Sequence, residues 1–274
     1  MIDMPATTSP RRLPWFQLGA AMLGSLVLLL VIAPLAGLVL SSSAKELSAA
    51  AAERDVLQSL RLTLTAALAA TAVCTLGGVP LAYLLARRRF WGRSAVLAII
   101  DLPIVIPHSA AGLALLTLIG RRSLVGSAAE GWGVPLVGGE AGIAVAMAFV
   151  SVPFLVSSAR AAFEAVPSRM ERVARSLGAS PARAFFTVAL PLAWRGVLGG
   201  MVLMWARGIS EFGAVIIIAY HPMTTPVLVY QRFTDYGLGS SRAVAVLLVV
   251  LCVAIFAALR LLARPPRDRG GQHA

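Results

Sequence analysis

The stretch Pro167-Ser-Arg-Met-Glu-Arg-Val-Ala-Arg-Ser-Leu-Gly178-Ala-Ser-Pro181-Ala-Arg-Ala-Phe-Phe-Thr-Val-Ala-Leu190-Pro191 lies between two long apolar runs and is patterned as a pair of helices. Proline is tolerated at a helix start, where its missing N–H does no harm, so Pro167 opens the first one. Met170, Val173, Ala174 and Leu177 then recur at i, i+3, i+4 and i+7, an apolar stripe along one face. Arg169, Arg172, Arg175 and Ser176 take the other side. Gly178 stops the helix as a glycine just past the last turn does. Ser180 followed by Pro181 restarts it, a cap and then a first-turn proline. A second short helix carrying Phe185, Phe186 and Ala189 is expected to end at Leu190-Pro191. Such a helix–turn–helix has two physical uses. It can lie on an anionic leaflet with arginines toward headgroups, or it can stand as a knob whose stripe fits a groove on a soluble partner. Spacing alone leaves both open.

Outward from this loop the chain is apolar. Of 274 residues, 58% are hydrophobic and only 13% charged, and the mean hydropathy is +0.83. A soluble domain carries about 25% charged residues, so the deficit points to a polytopic membrane protein. Six segments approach the length of a helical span: 18–40, 62–86, 95–119, 141–159, 197–220 and 243–263. Interior prolines and glycines (Gly77, Gly78, Pro80, Pro103, Pro107, Pro153) are compatible with membrane helices, whose neighbours re-satisfy freed backbone groups. With the N-terminus inside, the segments 1–17, 87–94, 160–196 and 264–274 hold 15 basic residues and the outer segments hold 7. That asymmetry gives an N-in, C-in orientation and makes 160–196 cytoplasmic. Arg11 and Arg12 before the first run resemble a secretory signal, but the run to Leu40 is longer than a signal's apolar region and is read as a retained span.

The net charge of +12 sits in short clusters between apolar runs, without the aromatic-interleaved basic stripe of a nucleic-acid binder. Cys74 and Cys252 lie inside apolar runs and read as small buried hydrophobes. His108, His221 and His273 are far apart, which argues against a metal site. Charged residues inside spans are functional hypotheses by default. Arg207 and Glu211 stand four apart and can pair on one helix face, which lowers the cost of burying either. A bare Glu211 repels an oxyanion, so the pair reads as structural or gating. Asp101 reads as reaching the headgroup region and His108 as a packed neutral imidazole. Ser210, Gly208 and Gly213 permit close helix contact.

Two sets of residues carry a family resemblance. The run Glu171-Arg-Val-Ala-Arg-Ser-Leu-Gly178-Ala-Ser-Pro181, with Val188-Ala-Leu190-Pro191, resembles the EAA loop of ABC importer permeases, whose pattern is EAA, three residues, Gly, nine residues, Ile, one residue, Leu-Pro. The spacing from Gly178 to Pro191 is met in full, with Val188 for Ile. The EAA triplet falls on Arg172-Val173-Ala174, so the acidic residue is displaced one place, to Glu171. The segment Trp205-Ala-Arg207-Gly-Ile-Ser210-Glu211-Phe212-Gly213-Ala resembles the RAxxEFGA segment of molybdate, tungstate and sulfate permeases. Ala219-Tyr220-His-Pro222, Pro226-Val-Leu-Val-Tyr230 and Phe233-Thr-Asp-Tyr236-Gly237-Leu look closest to the tungstate/molybdate branch, and Asp101-Leu-Pro103-Ile-Val-Ile-Pro107-His108 with Gly112 matches that family's Pro-rich third span.

What the resemblance implies can be stated residue by residue. The fold is an all-α, six-span type I ABC importer permease with a cytoplasmic coupling helix, in the cytoplasmic (inner) membrane of a prokaryote. Its parts are a cytoplasmic tail (1–17), a first span with its external loop (18–54), the core permease domain (55–265, with the coupling loop at 165–193) and a second tail (266–274). Coupling to an ATPase falls to Met170, Glu171, Val173, Ala174, Leu177, Gly178, Ala179, Ser180, Pro181, Leu190 and Pro191. The pathway, gate or its supports fall to Pro107, His108, Arg207, Ser210, Glu211 and Gly213. The partners implied are a second copy of the chain, two ABC ATPase subunits beneath, an oxyanion-binding protein outside, and the bilayer. No catalytic residue or metal is expected. The chain lacks a G-x-x-x-x-G-K-[ST] phosphate loop, so ATP and Mg are expected on the partner subunit, with no cofactor here. Readings that compete are a permease of the same class for sulfate or another small solute, a secondary carrier, and a polytopic membrane enzyme. For the last there is no paired catalytic Asp, no credible Ser/His couple and no HExxH.

Overall fold

The computed structural model describes residues 15–262, with side chains to residue 257. The tail arginines Arg11, Arg12, Arg264, Arg267 and Arg269 and the side chain of Arg260 lie outside that description. Every element among the described residues is helical: α1 (Trp15–Leu40), α2 (Ala44–Ala52), α3 (Arg54–Arg87), α4 (Arg93–Val105), α5 (His108–Ile119), α6 (Leu124–Gly131), α7 (Glu140–Ala165), α8 (Ser168–Ser176), α9 (Pro181–Ala184), α10 (Leu190–Ile209), α11 (Gly213–Ile218), α12 (Thr225–Tyr236) and α13 (Leu238–Leu262). Among the described residues five helical segments are long and apolar enough to cross a membrane, and α4 with α5 passes the same test only as a bent pair.

At the centre α7 packs against α3 on one side and α10 on the other. Small residues bring α10 close: a Cβ on Gly200 would meet Ser158 and Leu155 of α7, and one on Gly196 would collide with Ala162. Four residues apart, these two glycines are the small-xxx-small device that lets membrane helices approach where no hydrophobic force drives them together. Gly208, one face further along, sits against Ala67 of α3 and Met147 of α7. By contrast α1 has no buried residue and is apolar all round, as a helix surrounded by lipid should be. Outside the membrane α2 is started by a capping box between Ser43 and Glu46. Hydrogen bonds from the Ser43 backbone, then from its side chain, hold the Glu46 carboxyl below the ordinary carboxylate range.

Three expectations need correction. The third span is not one helix: α4 and α5 meet at 115° across Ile106 and Pro107. Proline disfavours helical backbone at the residue before it, and Ile106 is extended at φ −74°, ψ 143°. The fifth span is likewise broken, since α10 stops at Ile209 and a six-residue α11 follows three residues later. Finally, Leu190-Pro191 ends nothing. Residues Phe185–Ala189 form a π-helical turn in which the Leu190 N–H bonds to the Phe185 carbonyl, five residues back. The wider turn makes room for a proline ring that would press on the carbonyl four residues back in an α-helix. The helix from Pro181 therefore runs on to Ile209 as one span.

Candidate functional site

The loop between α7 and α10 adopts the geometry its residues call for. Gly178 has φ +91°, a left-handed conformation that glycine adopts without steric cost. Its N–H bonds to the Arg175 carbonyl and the Ala179 N–H to the Ala174 carbonyl, each at 3.0 Å, the paired bonds of a Schellman turn. Ser180 caps α9 through the Arg183 N–H at 3.2 Å, with Pro181 in the first turn.

The two faces of α8 are used differently. Met170, Val173 and Leu177 stand out from the body, Leu177 at 84% exposure, while Ala174 is half-buried. Glu171 is turned inward and only 8% exposed. Its Oε1 accepts from Arg87 Nε at 2.7 Å and its Oε2 from the Tyr83 hydroxyl at 2.5 Å. Arg87 Nη2 also donates to the Val166 carbonyl at 3.0 Å. Tyr83 rests edge-on against Phe163 and Phe185, with ring centroids 5.3 and 4.8 Å away. Sequence reasoning placed Glu171 in this loop but missed Tyr83 and Arg87, having read Arg87 only as a topogenic charge. The available signal was a lone tyrosine in an apolar run, one helical turn before an arginine.

The second cluster lies where the two broken helices meet. A Cβ on Gly213 would stand 2.8 Å from His108 Cβ, and one on Gly112 would stand 3.0 Å from Ala214 Cα, so α5 and α11 touch almost backbone to backbone. At that junction Glu211, with 2% side-chain exposure, accepts from Arg207 Nη2 at 3.0 Å and lies 2.9 Å from His108 Nδ1. Its other oxygen accepts from the Ala214 N–H at 2.9 Å, which caps α11. Arg207 Nη2 is 3.0 Å from both ring nitrogens of His108. An atom equidistant from both at that range sits over the ring face, so Nη2 meets the imidazole from above and is not aligned with either lone pair. Arg207 Nη1 reaches Ser210 Oγ at 3.2 Å. The expected pairing of Arg207 with Glu211 is present, and His108 joins it.

Pro107, whose ring forces the first break, is exposed beside the cluster, as is Ser210 at the second. The node thus ties three groups, Arg207, His108 and the Ala214 N–H, to one buried carboxylate. Because the contact is so close, Gly213→Ala should lower the thermal unfolding midpoint in detergent. The expected cost is about 1–3 kcal/mol, typical of overpacking. Gly77→Ala, with open space around it, should stay within about 0.5 kcal/mol of the parent. Equal midpoints would remove the close contact from the account.

Comparison with known proteins agrees with this architecture. Residues 78–267 match the family model described as binding-protein-dependent transport system inner membrane component. The molybdate/tungstate transport system permease protein WtpB of Pyrococcus abyssi is 45% identical over 76% of this chain and 78% of that protein. Its counterpart from Thermococcus kodakarensis is 40% identical over 88% and 94%. A crystal structure of a bacterial ABC transporter involved in the import of the acidic polysaccharide alginate superposes with a TM-score of 0.70 over 91% of this chain and 95% of that one. At 16% identity that likeness speaks to the fold alone. With its long apolar helices, a permease-like core and these relatives, the chain belongs to the binding-protein-dependent transport inner membrane component family, as a multi-pass ABC importer permease of the molybdate/tungstate group.

Proposed function

We propose that this chain is the membrane-spanning subunit of an ATP-driven importer for molybdate or tungstate, working as a homodimer in the inner membrane of a prokaryote. The single observation that carries the mechanism is the division of α8. One face is clamped to the body through Glu171, and the other offers Met170, Val173 and Leu177 unpartnered. An apolar stripe held out on a fixed knob suits a groove on a soluble subunit, the helix-in-groove mode. Two ATPase subunits dock there, and their closure draws the two knobs together and rocks the spans between inward- and outward-open states. Gly178, Ala179, Ser180 and Pro181 form the turn that presents the knob, and the segment through Leu190 and Pro191 joins it rigidly to α10. Residues 165–193 are thus the coupling loop of a core domain over 55–265, preceded by a first span and external loop (18–54) and flanked by cytoplasmic tails at 1–17 and 266–274.

The junction of Pro107, His108, Arg207, Ser210, Glu211 and Gly213 is the gate region. Broken helices at membrane depth are tolerated where they face protein or a watery cavity. Neutralisation of Glu211 by Arg207 keeps the path free of a repelling charge. The identity of the anion is supported by the 45% and 40% identical relatives. An extracytoplasmic binding protein delivers it.

The test is to tag the chain, extract it in mild detergent and identify stoichiometric partners, with elemental mass spectrometry on any co-purified binding protein. An ATPase with a molybdenum- or tungsten-loaded protein is the expected result. An ATPase with sulfur as cargo would keep the machine and replace the anion by sulfate. A chain that purifies without any ATPase would sink the proposal.

A further inference from the structure

The clamp beneath α8 has a consequence for how force crosses this protein, and it rests on the importer reading above. We propose that Glu171, with Arg87 and Tyr83, is a positioning latch that passes displacement of α8 directly to the cytoplasmic end of α3. In this reading the acidic residue of the loop serves the chain's own body and makes no contact with the ATPase.

Three observations converge on it. Glu171 points away from the exposed stripe and is buried, while Met170 just before it and Val173 two residues on are half-exposed on the outer side. Both carboxylate oxygens are engaged, and both partners come from the last two turns of α3, 84 and 88 residues away in the chain. Arg87 binds at the same time to the Val166 carbonyl, where α7 gives way to α8. One guanidinium therefore joins the ends of α3, α7 and α8. The pocket floor is rigid: Tyr83 is held by Phe163 of α7 and by Phe185 of the π-helical turn that leads into α10.

A push on the stripe from below thus has two routes upward. One is covalent, through the turn at Gly178 into α10. The other runs through the carboxylate into α3. Charge-assisted bonds at 2.5–2.7 Å resist displacement more than apolar contacts do, since they weaken steeply with distance and angle. Because α10 and α3 both pack on α7, driving only one of them would shear the core, whereas driving both moves it as a body.

The experiment compares wild type with Glu171→Gln, Tyr83→Phe and the exchange Glu171→Arg with Arg87→Glu. In Glu171→Gln the stripe is intact, so the ATPase should still co-purify and basal hydrolysis persist. Anion uptake per ATP should fall about tenfold, the factor expected from losing one charge-assisted hydrogen bond. Tyr83→Phe keeps the ring packing and should show a smaller loss, and the exchange should recover part of the coupling. Amide hydrogen exchange over residues 168–176 in the purified permease should speed up about tenfold in Glu171→Gln. That readout needs no ATPase. Unchanged exchange would remove the latch even if transport fell, and loss of the ATPase from Glu171→Gln alone would place the carboxylate at the subunit interface instead. A wild-type chain with no ATPase overturns the importer reading and force transmission with it, while exchange still reports whether the clamp exists.

Discussion

Replacing Gly178 by proline is expected to abolish transport while the chain still inserts in the membrane. The backbone there has φ +91°, and proline is locked near −65°. The substitution also deletes the N–H that binds the Arg175 carbonyl at 3.0 Å and displaces Ala179 from its bond to Ala174. A proline forced into an incompatible turn costs about 3 kcal/mol or more. α8 is nine residues long, so its orientation leans on that turn and on the Glu171 clamp. The long apolar helices owe their membrane affinity to their own composition, which is why insertion should survive. Gly178→Asn is the graded control, because asparagine visits the left-handed region more readily than other side chains. Uptake assays in membranes with matched permease levels read the outcome. Wild-type uptake from the proline variant would remove the turn from the coupling path.

The second large effect is expected at the intramembrane node. Arg207→Ala leaves the Glu211 carboxylate at 2% exposure without its cation, and breaking a buried pair by removing one partner costs about 3–5 kcal/mol. Removing both charges with Arg207→Ala and Glu211→Ala should restore part of that stability, since no charge is then stranded. The recovery stays incomplete. Glu211 also serves the Ala214 N–H and His108, and each polar group left unsatisfied costs about 1–3 kcal/mol. The thermal midpoints in detergent should therefore rank wild type first, then the double variant, then Arg207→Ala. Equal defects in single and double variants would dissolve the pair. Full recovery in the double would free Ala214 and His108 from any dependence on Glu211.

Much of the architecture is written locally. Runs of apolar residues near span length place the long helices, and Gly178, Ser180 and Pro181 each have one favoured backbone use, so the turn after α8 is readable residue by residue. The pairing of Arg207 with Glu211 is local too, because a helix brings i and i+4 together. Proline is where local reading stops. Pro80, Pro103 and Pro153 lie inside helices that continue, and Pro107 lies at a 115° break. The rings are chemically identical. What sets Pro107 apart is its surroundings: just beyond the break Gly112 packs closely on Ala214, a contact between segments far apart in the chain.

Glu171 makes the same point. Its place beside the turn is plain in the sequence, but its direction is not. An acidic residue on a cytoplasmic helix is at home in water, and only the arrival of Tyr83 and Arg87 from 88 and 84 positions away makes burial favourable. His108 likewise reads as a packed ring until the break between α10 and α11 delivers Glu211, 103 positions on. By itself the sequence determined the long apolar helices, the asymmetry of charge and the projecting helix, since hydropathy, charge and left-handed backbone act within a few residues. The tertiary structure decided which helices break and which charges meet, because a buried charge takes its place from whichever partner the packing brings within 3 Å, and that is set by the approach of distant helices.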